Sequence, residues 1–317
     1  MNCPICSFPK SEKVFEITDH LFQTTSRLFQ IRQCQECRVL FLFPRPSSED
    51  MWKYYPDEYW VGPGKTVHGL KAVLTEIYRR VVLIDHVRFV RESAYDLQRQ
   101  GEPVKLLDVG CGDGSFLETC GIKPCTGLDA SVNAVKAAKS RGIDAVLGSL
   151  DKSPFWEKSF SIITMFHFLE HVWPVENYLE AAKKLLADDG ELILQVPNAD
   201  SWQAGLLRKR WAGYEVPRHL INYSASTLTR VLQDNGFGIV RKTHFCLRDN
   251  APMLARSLAP RLYPPARSAS DADQKGFLAW ISDIGFLGLS IGALPFAIAE
   301  SFAGQGASVM VCAKKEC

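Results

Sequence analysis

Three groups of side chains in this chain have the types and spacing that chemistry needs. Cys3, Cys6, Cys34 and Cys37 form two C-x-x-C pairs with 27 residues between them. Two tight turns that each present two sulfurs can give four thiolates in a tetrahedral array, the donor set of a structural zinc ion. Redox or iron–sulfur use fits less well, because neither pair opens a helix after a strand. The second group is the run Leu106-Leu107-Asp108-Val109-Gly110-Cys111-Gly112-Asp113-Gly114-Ser115. An apolar strand runs into a glycine turn, and a helix starts at once, so backbone amides can approach a nucleotide closely. The dinucleotide fingerprint needs its third glycine where this chain has Ser115. Asp108 would repel a pyrophosphate but suits a ligand with a cationic amino-acid end. The third group is His167 and His171, one helical turn apart after a buried strand, with His219 in Pro217-Arg218-His219. All three are candidates for moving a proton, and capping a helix or bonding loop backbone is the rival reading for each. His167 to His171 also spells H-x-x-E-H, the inverted zinc-protease motif, which needs a third ligand on a later helix and leaves the glycine loop unexplained.

These groups need elements to hold them. Leu28–Gln33 runs into the second cysteine pair as a strand and Val39–Phe43 runs out of it, so residues 1–46 read as a small β-rich head ending at Pro44-Arg45-Pro46. Residues 47–103 link it onward. Glu49–Tyr55 reads as a short helix stopped by Pro56, and Leu70, Val73, Leu74, Ile77, Tyr78, Val81 and Ile84 mark an amphipathic helix continuing towards Leu97. From 104 to 317 strands and helices alternate. Strands are expected at Val104–Val109, Cys125–Leu128, Ile143–Leu147, Phe160–Met165, Glu191–Val196, Ile239–Phe245 and Ser308–Ala313. Helices are expected at Ser115–Cys120, Val132–Ser140, Val175–Leu186 and Ser226–Asn235. This alternation predicts an α/β fold with a parallel sheet covered on both faces.

As an ordered set these motifs resemble the class I S-adenosylmethionine-dependent methyltransferases (type 11/12/23-like), whose first motif has the D-x-G-x-G-x-G form. Gly127-Leu128-Asp129, Pro154-Phe155 to Ser159-Phe160, Leu169-Glu170-His171-Val172, Gly190 to Asn198 and Gly236-Phe237 match later segments of that family. The head followed by Pro44-Arg45-Pro46 is similar to a subfamily in which a zinc-binding domain precedes the methyltransferase. The resemblance implies a Rossmann-like seven-stranded sheet and S-adenosyl-L-methionine as cofactor. It places Asp108, Gly110, Cys111, Gly112 and Gly114 around that cofactor, and Asp129 on its ribose hydroxyls. Ala130, Ser149, Leu150, Met165 and Phe166 complete the set. It favours His171 as the base, ahead of His219 and His167. Ser161 and Ser149 stand where the family often has carboxylates, with Asp151 two residues later, which weakens the adenine-side assignments.

Residues 199–223 read as a lid or binding loop. Its Trp202, Trp211 and Tyr214 could stack on an acceptor and Arg208-Lys209-Arg210 could hold an acidic group, or the cations could be a solvated patch. An insertion at about 250–306 delays the last strand. Its charge-free stretch, Ile284–Ala299, falls short of the ~20 residues of a bilayer span and contains Gly285, Gly288, Gly292 and Pro295, so a buried helical lid or oligomer contact is expected ahead of membrane association. The chain has 317 residues, 46% hydrophobic and 23% charged, with 37 Lys+Arg against 35 Asp+Glu, which excludes disorder and argues against extensive phosphate contact. Without a leader-like segment after Met1, the expected compartment is the reducing cytoplasm. The expected acceptor is a small molecule or sugar. The rivals are an RNA or protein methyltransferase that grips its substrate with the head, and a non-catalytic binding module that keeps the fold.

Overall fold

The computed structural model describes residues 2–47, 49–56, 77–265 and 277–316, without the side chains of 277–279. The expected turn at Val61–Gly64 and the start of the amphipathic helix at Leu70–Leu74 lie outside the described residues.

Two sheets organise the molecule. The larger has the order β10-β11-β8-β7-β4-β5-β6, built from β4 (Leu106–Val109), β5 (Cys125–Asp129), β6 (Asp144–Leu147), β7 (Phe160–Phe166), β8 (Leu186–Pro197), β10 (Phe237–Thr243) and β11 (Ser308–Lys315). β4 pairs parallel with β5 and β7, as do β5 with β6 and β7 with β8, whereas β11 runs antiparallel to both β8 and β10. Side chains alternate across this sheet. Leu107, Ile163, Leu192 and Leu194 face one core with α4 (Val175–Leu185) and α6 (Ala225–Asp234), while Leu106, Ile162 and Ile193 face the other with α1 (Ile84–Arg99), α2 (Ser115–Cys120) and α3 (Val132–Ser140). The expected Rossmann-like sheet with helices on both faces is therefore present, with element ends shifted by a few residues.

The smaller sheet has the order β1-β2-β3-β9: β1 (Ser11–Ile17), β2 (Phe29–Cys34), β3 (Leu40–Phe43) and β9 (Ile221–Asn222). β1 escapes a pattern search because Ser11-Glu12-Lys13 and Glu16 leave it only weakly apolar. β9 comes from the far side of the chain. Backbone pairing of Leu40 and Phe41 with Asn222 and Ile221 thus makes the segment after β8 the fourth strand of the amino-terminal sheet. One continuous core runs from Phe29, Ile31 and Phe41 to Trp211, Ile221 and Met165.

Three local expectations change. The stripe at Ile77, Tyr78, Val81 and Ile84 is exposed, and α1 instead buries His86, Val87, Phe89, Val90, Ser93, Ala94 and Leu97 against the sheet. Residues 199–223 are not an open loop but hold α5 (Trp202–Leu207), short 3-10 turns and β9, with Trp211 and Tyr214 buried in the core and so unable to stack on an acceptor. In the insertion, α7 (Asn250–Leu258) precedes one unbroken helix, α8 (Phe277–Phe302), which carries Pro295 and its glycines without a break. It is not a buried lid: only 17% of its apolar window, within Trp280–Phe302, is buried.

Candidate functional site

The glycine loop joins β4 to α2 through three left-handed residues, Gly110 (φ 75°), Gly112 (φ 53°) and Gly114 (φ 74°). Two of them have different jobs. A Cβ on Gly114 would press on Ala138 and Ile143 of the fold itself, whereas nothing lies within 4 Å of a Cβ position on Gly112, so that turn leaves room for a ligand. Asp129, at the end of β5, holds the loop in this shape: its Oδ2 accepts the Gly112 amide at 2.9 Å and its Oδ1 accepts that of Ser131 at 2.8 Å. Asp108 is 4% exposed and accepts the Thr164 hydroxyl at 2.7 Å. Burial, opposed by that hydrogen bond and reinforced by the Asp129 charge, pushes its carboxyl up to about 7. A cation at this edge would restore the carboxylate.

Cys111 packs beneath the loop against Gly127, and Ala130 follows Asp129 in the turn before α3. Ser149 hydrogen-bonds Asp151 and lies 3.4 Å from the Tyr178 hydroxyl, while Leu150 is buried beside them in the core. Met165 points into the core, and Phe166 turns to the other face, edge-on to Phe116 and His86. Phe168 lies over the loop: a Cβ on Gly110 would stand 3.0 Å from its ring. Its aromatic type just past a strand is a signal that the sequence reading passed over. Ser161 accepts the Lys105 amide at 2.7 Å and closes a strand end, away from the glycine turn.

The histidines gather at the same carboxyl edge of the sheet. His167 sits at the end of β7 with φ 52°, a conformation that costs a non-glycine residue strain and recurs at functional sites. Its Nε2 lies 3.0 Å from Asp249 Oδ2 and its Nδ1 3.3 Å from Glu170 Oε1. Burial works against charging it, but Asp249 and then Glu170 outweigh burial and raise it to about 9, so it is an imidazolium at neutral pH. Glu170 is 1% exposed, and its buried carboxylate has no well-aligned hydrogen bond beyond the 3.3 Å contact with His167. His219 donates from Nδ1 to Gly213 O at 2.8 Å, which leaves a lone pair on Nε2, 4.0 Å from Glu170 Oε1. His171 Nδ1 is 3.0 Å from the Tyr55 hydroxyl and 3.2 Å from Arg218 O, and its ring stands edge-on to His219 at 4.6 Å. Burial, assisted for His171 by His219, drives both histidines down to about 4. Ligand atoms of Glu170, His171 and His219 lie within 4.8 Å of one another, close enough to share one bound acceptor atom or proton. His167 is outside this trio, so the two histidines of the H-x-x-E-H string do not converge.

Arg218 fixes this wall. It is fully buried and grips Asp19 with both terminal nitrogens at 3.1 Å, donates to Tyr54 O at 2.8 Å and reaches Glu215 at 3.2 Å. Tyr55 meets His171 and Asp19 meets Arg218 from the amino-terminal side of the chain. Neither position follows from a motif.

In the head, Cys3 Sγ lies 3.5 Å from Cys37 Sγ and Cys6 Sγ 3.6 Å from Cys34 Sγ, with all four sulfurs within 4.8 Å. Amides of Ile5 and Glu36 point at Cys3 and Cys34, each at 3.4 Å. Ser7 and Arg38, where knuckles often have glycine, adopt the left-handed conformation anyway (φ 57° and 64°), so both turns close tightly. Four sulfurs about one tetrahedral edge apart fit a zinc ion with Zn–S bonds of ~2.3 Å.

Residues 77–242 match a family of methyltransferase domains. An uncharacterised protein of Mycobacterium bovis is 30% identical over 242 residues, covering 71% of this chain and 80% of that one. A probable S-adenosylmethionine-dependent methyltransferase of Mycolicibacterium smegmatis is 26% identical over 42% of this chain and 52% of its own length. Among solved structures, a SAM-dependent methyltransferase from Archaeoglobus fulgidus aligns with a TM-score of 0.45 and 18% identity, covering 78% of this chain and 100% of that one. Glycine loop, sheet order and family match agree, and the chain belongs to the methyltransferase domain family.

Proposed function

We propose that this protein transfers the methyl group of S-adenosylmethionine to a small-molecule or sugar acceptor in the cytoplasm, with a structural zinc ion in its head. The observation that carries the acceptor side is the trio of Glu170, His171 and His219 at the carboxyl edge of the sheet, two neutral imidazoles next to a buried carboxylate. The open space at Gly112 and the carboxylates of Asp108 and Asp129 suit a ligand with an ammonium group and ribose hydroxyls. When bound, that cofactor supplies an electrophilic methyl group.

The remaining work belongs to the chain. Gly110 to Gly114 bring backbone amides close, Asp129 accepts from ribose hydroxyls while keeping its hold on Gly112, and Asp108 becomes a carboxylate as an ammonium group settles beside it. His171, fixed by Arg218 O, would accept the hydrogen bond of an acceptor hydroxyl or amine and hold the proton that the acceptor gives up on methylation. Glu170 stabilises the imidazolium so formed. His167, held between Asp249 and Glu170, is a positioning residue that keeps Glu170 in place. The burial of Glu170 and His219 behind His171 favours a small acceptor over a macromolecule gripped from outside.

The test is a screen of hydroxyl- and amine-bearing metabolites with S-adenosylmethionine, read by mass spectrometry for a gain of one methyl group, with His171→Ala in parallel. Methylation of small acceptors by the wild type and its loss in the variant support the proposal. Activity on RNA or protein alone would overturn the acceptor class.

A further inference from the structure

α8 is apolar on the side that faces out. Its buried side carries Phe286, Ser290, Ala293, Ala297 and Glu300, of which Ala293 and Ala297 pack with Ala251 and Leu254 of α7. Its outward side carries Ile281, Ile284, Leu287, Ile291, Ile298 and Phe302, each between 41 and 89% exposed. A water-facing helix has the reverse arrangement. No charged residue interrupts Ile284–Ala299.

The neighbouring α5 extends the same surface. Trp202 stacks edge-on with Phe296 at 6.0 Å, Leu206 is 70% exposed, and Leu207 packs on the cluster of Ala293 and Ala297. The next three residues, Arg208, Lys209 and Arg210, are all exposed and form no ion pair among the described residues. A broad apolar face with a cationic rim is complementary to a layer of anionic headgroups over hydrocarbon. We propose that α8 and the end of α5 form a docking face for an anionic lipid bilayer, on which the helix lies in the plane of the interface.

Lying on the bilayer fits better than crossing it. Although α8 is long and apolar enough to span, Glu300 accepts hydrogen bonds from Gln203 and the Ala307 amide, and β11 begins at Ser308 inside the large sheet. Insertion across the membrane would tear these out. A second copy of the chain is the poorer occupant, because pairing two such faces would bring two cationic rims together.

The docking face is independent of the proposed chemistry, and so is its test. The full chain is centrifuged with vesicles of phosphatidylcholine alone and of phosphatidylcholine with phosphatidylglycerol, in low and high salt. Light scattering on the protein without lipid gives its mass. The expected result is binding to the anionic vesicles, weakened by salt, and reduced about tenfold or more both by Ile291→Glu and by joint replacement of Arg208, Lys209 and Arg210 with Glu. Both sets of side chains are exposed, and unchanged melting temperatures would show that the variants fold. Failure to bind either vesicle, equal binding to both, or a dimer that Ile291→Glu converts to monomer without any lipid binding would each overturn the proposal.

Discussion

Asp129 is proposed to serve both the protein and a ligand, since its carboxylate fixes Gly112 and Ser131 at the turn that leaves open space. Asp129→Ala should weaken S-adenosylmethionine about tenfold or more, because charge-assisted bonds and the loop shape go together. His171→Ala should behave differently: turnover should drop by about 10² to 10⁴ with cofactor affinity nearly intact, as expected for a group that acts on the acceptor proton. A loss confined to cofactor affinity would mark His171 as structural. His167 gives a pH signature. Its pKa in the fold, about 9, lies above the ordinary 6.5, so the stability it adds is fully present below pH 6.5 and is lost as pH rises through about 9. Melting temperature should fall over that window, and Asp249→Asn should flatten the fall.

Among the elements, the small sheet has the most consequence, because its fourth strand, β9, follows directly on Arg218 and His219. The four-cysteine head is therefore built into the wall that holds the histidines. Cys34→Ser should release the bound metal and lower the melting temperature, and it should also loosen β3–β9 pairing, seen as faster amide exchange at Ile221 and Asn222. Unchanged metal content would contradict the zinc assignment. Arg218→Ala would leave Asp19 buried without its partner and should cost about 3–5 kcal/mol in denaturant unfolding, the penalty of breaking a buried ion pair. Most strands of the large sheet were legible because each carries a short, largely apolar stretch close to a turn signal, as Leu106, Leu107 and Val109 do around Asp108. β1 and β9 were not: the first carries three charges in seven residues, and the second has two residues whose strand character exists only once the head is beside them.

For the whole molecule, the sequence motifs located the glycine loop and the cysteine cluster, because both are local patterns. The acceptor side was only half legible. His171 and His219 could be named, but the contacts that hold this wall, Tyr55 with His171, Asp19 with Arg218 and Asp249 with His167, span 116, 199 and 82 residues of chain, and no spacing rule carries that information. Trp211 and Tyr214 were misplaced for a related reason, since aromatic residues in an apparent loop look available until the head covers them. The head, the glycine loop and the histidine trio thus form one continuous structure around a proposed methyl-transfer site. The most direct test of that account is a calorimetric titration of the full chain with S-adenosylmethionine, repeated on Asp129→Ala. The account predicts one binding event per chain in the wild type and its loss or marked weakening in the variant. No heat of binding in the wild type, or an affinity that Asp129→Ala leaves unchanged, would contradict it.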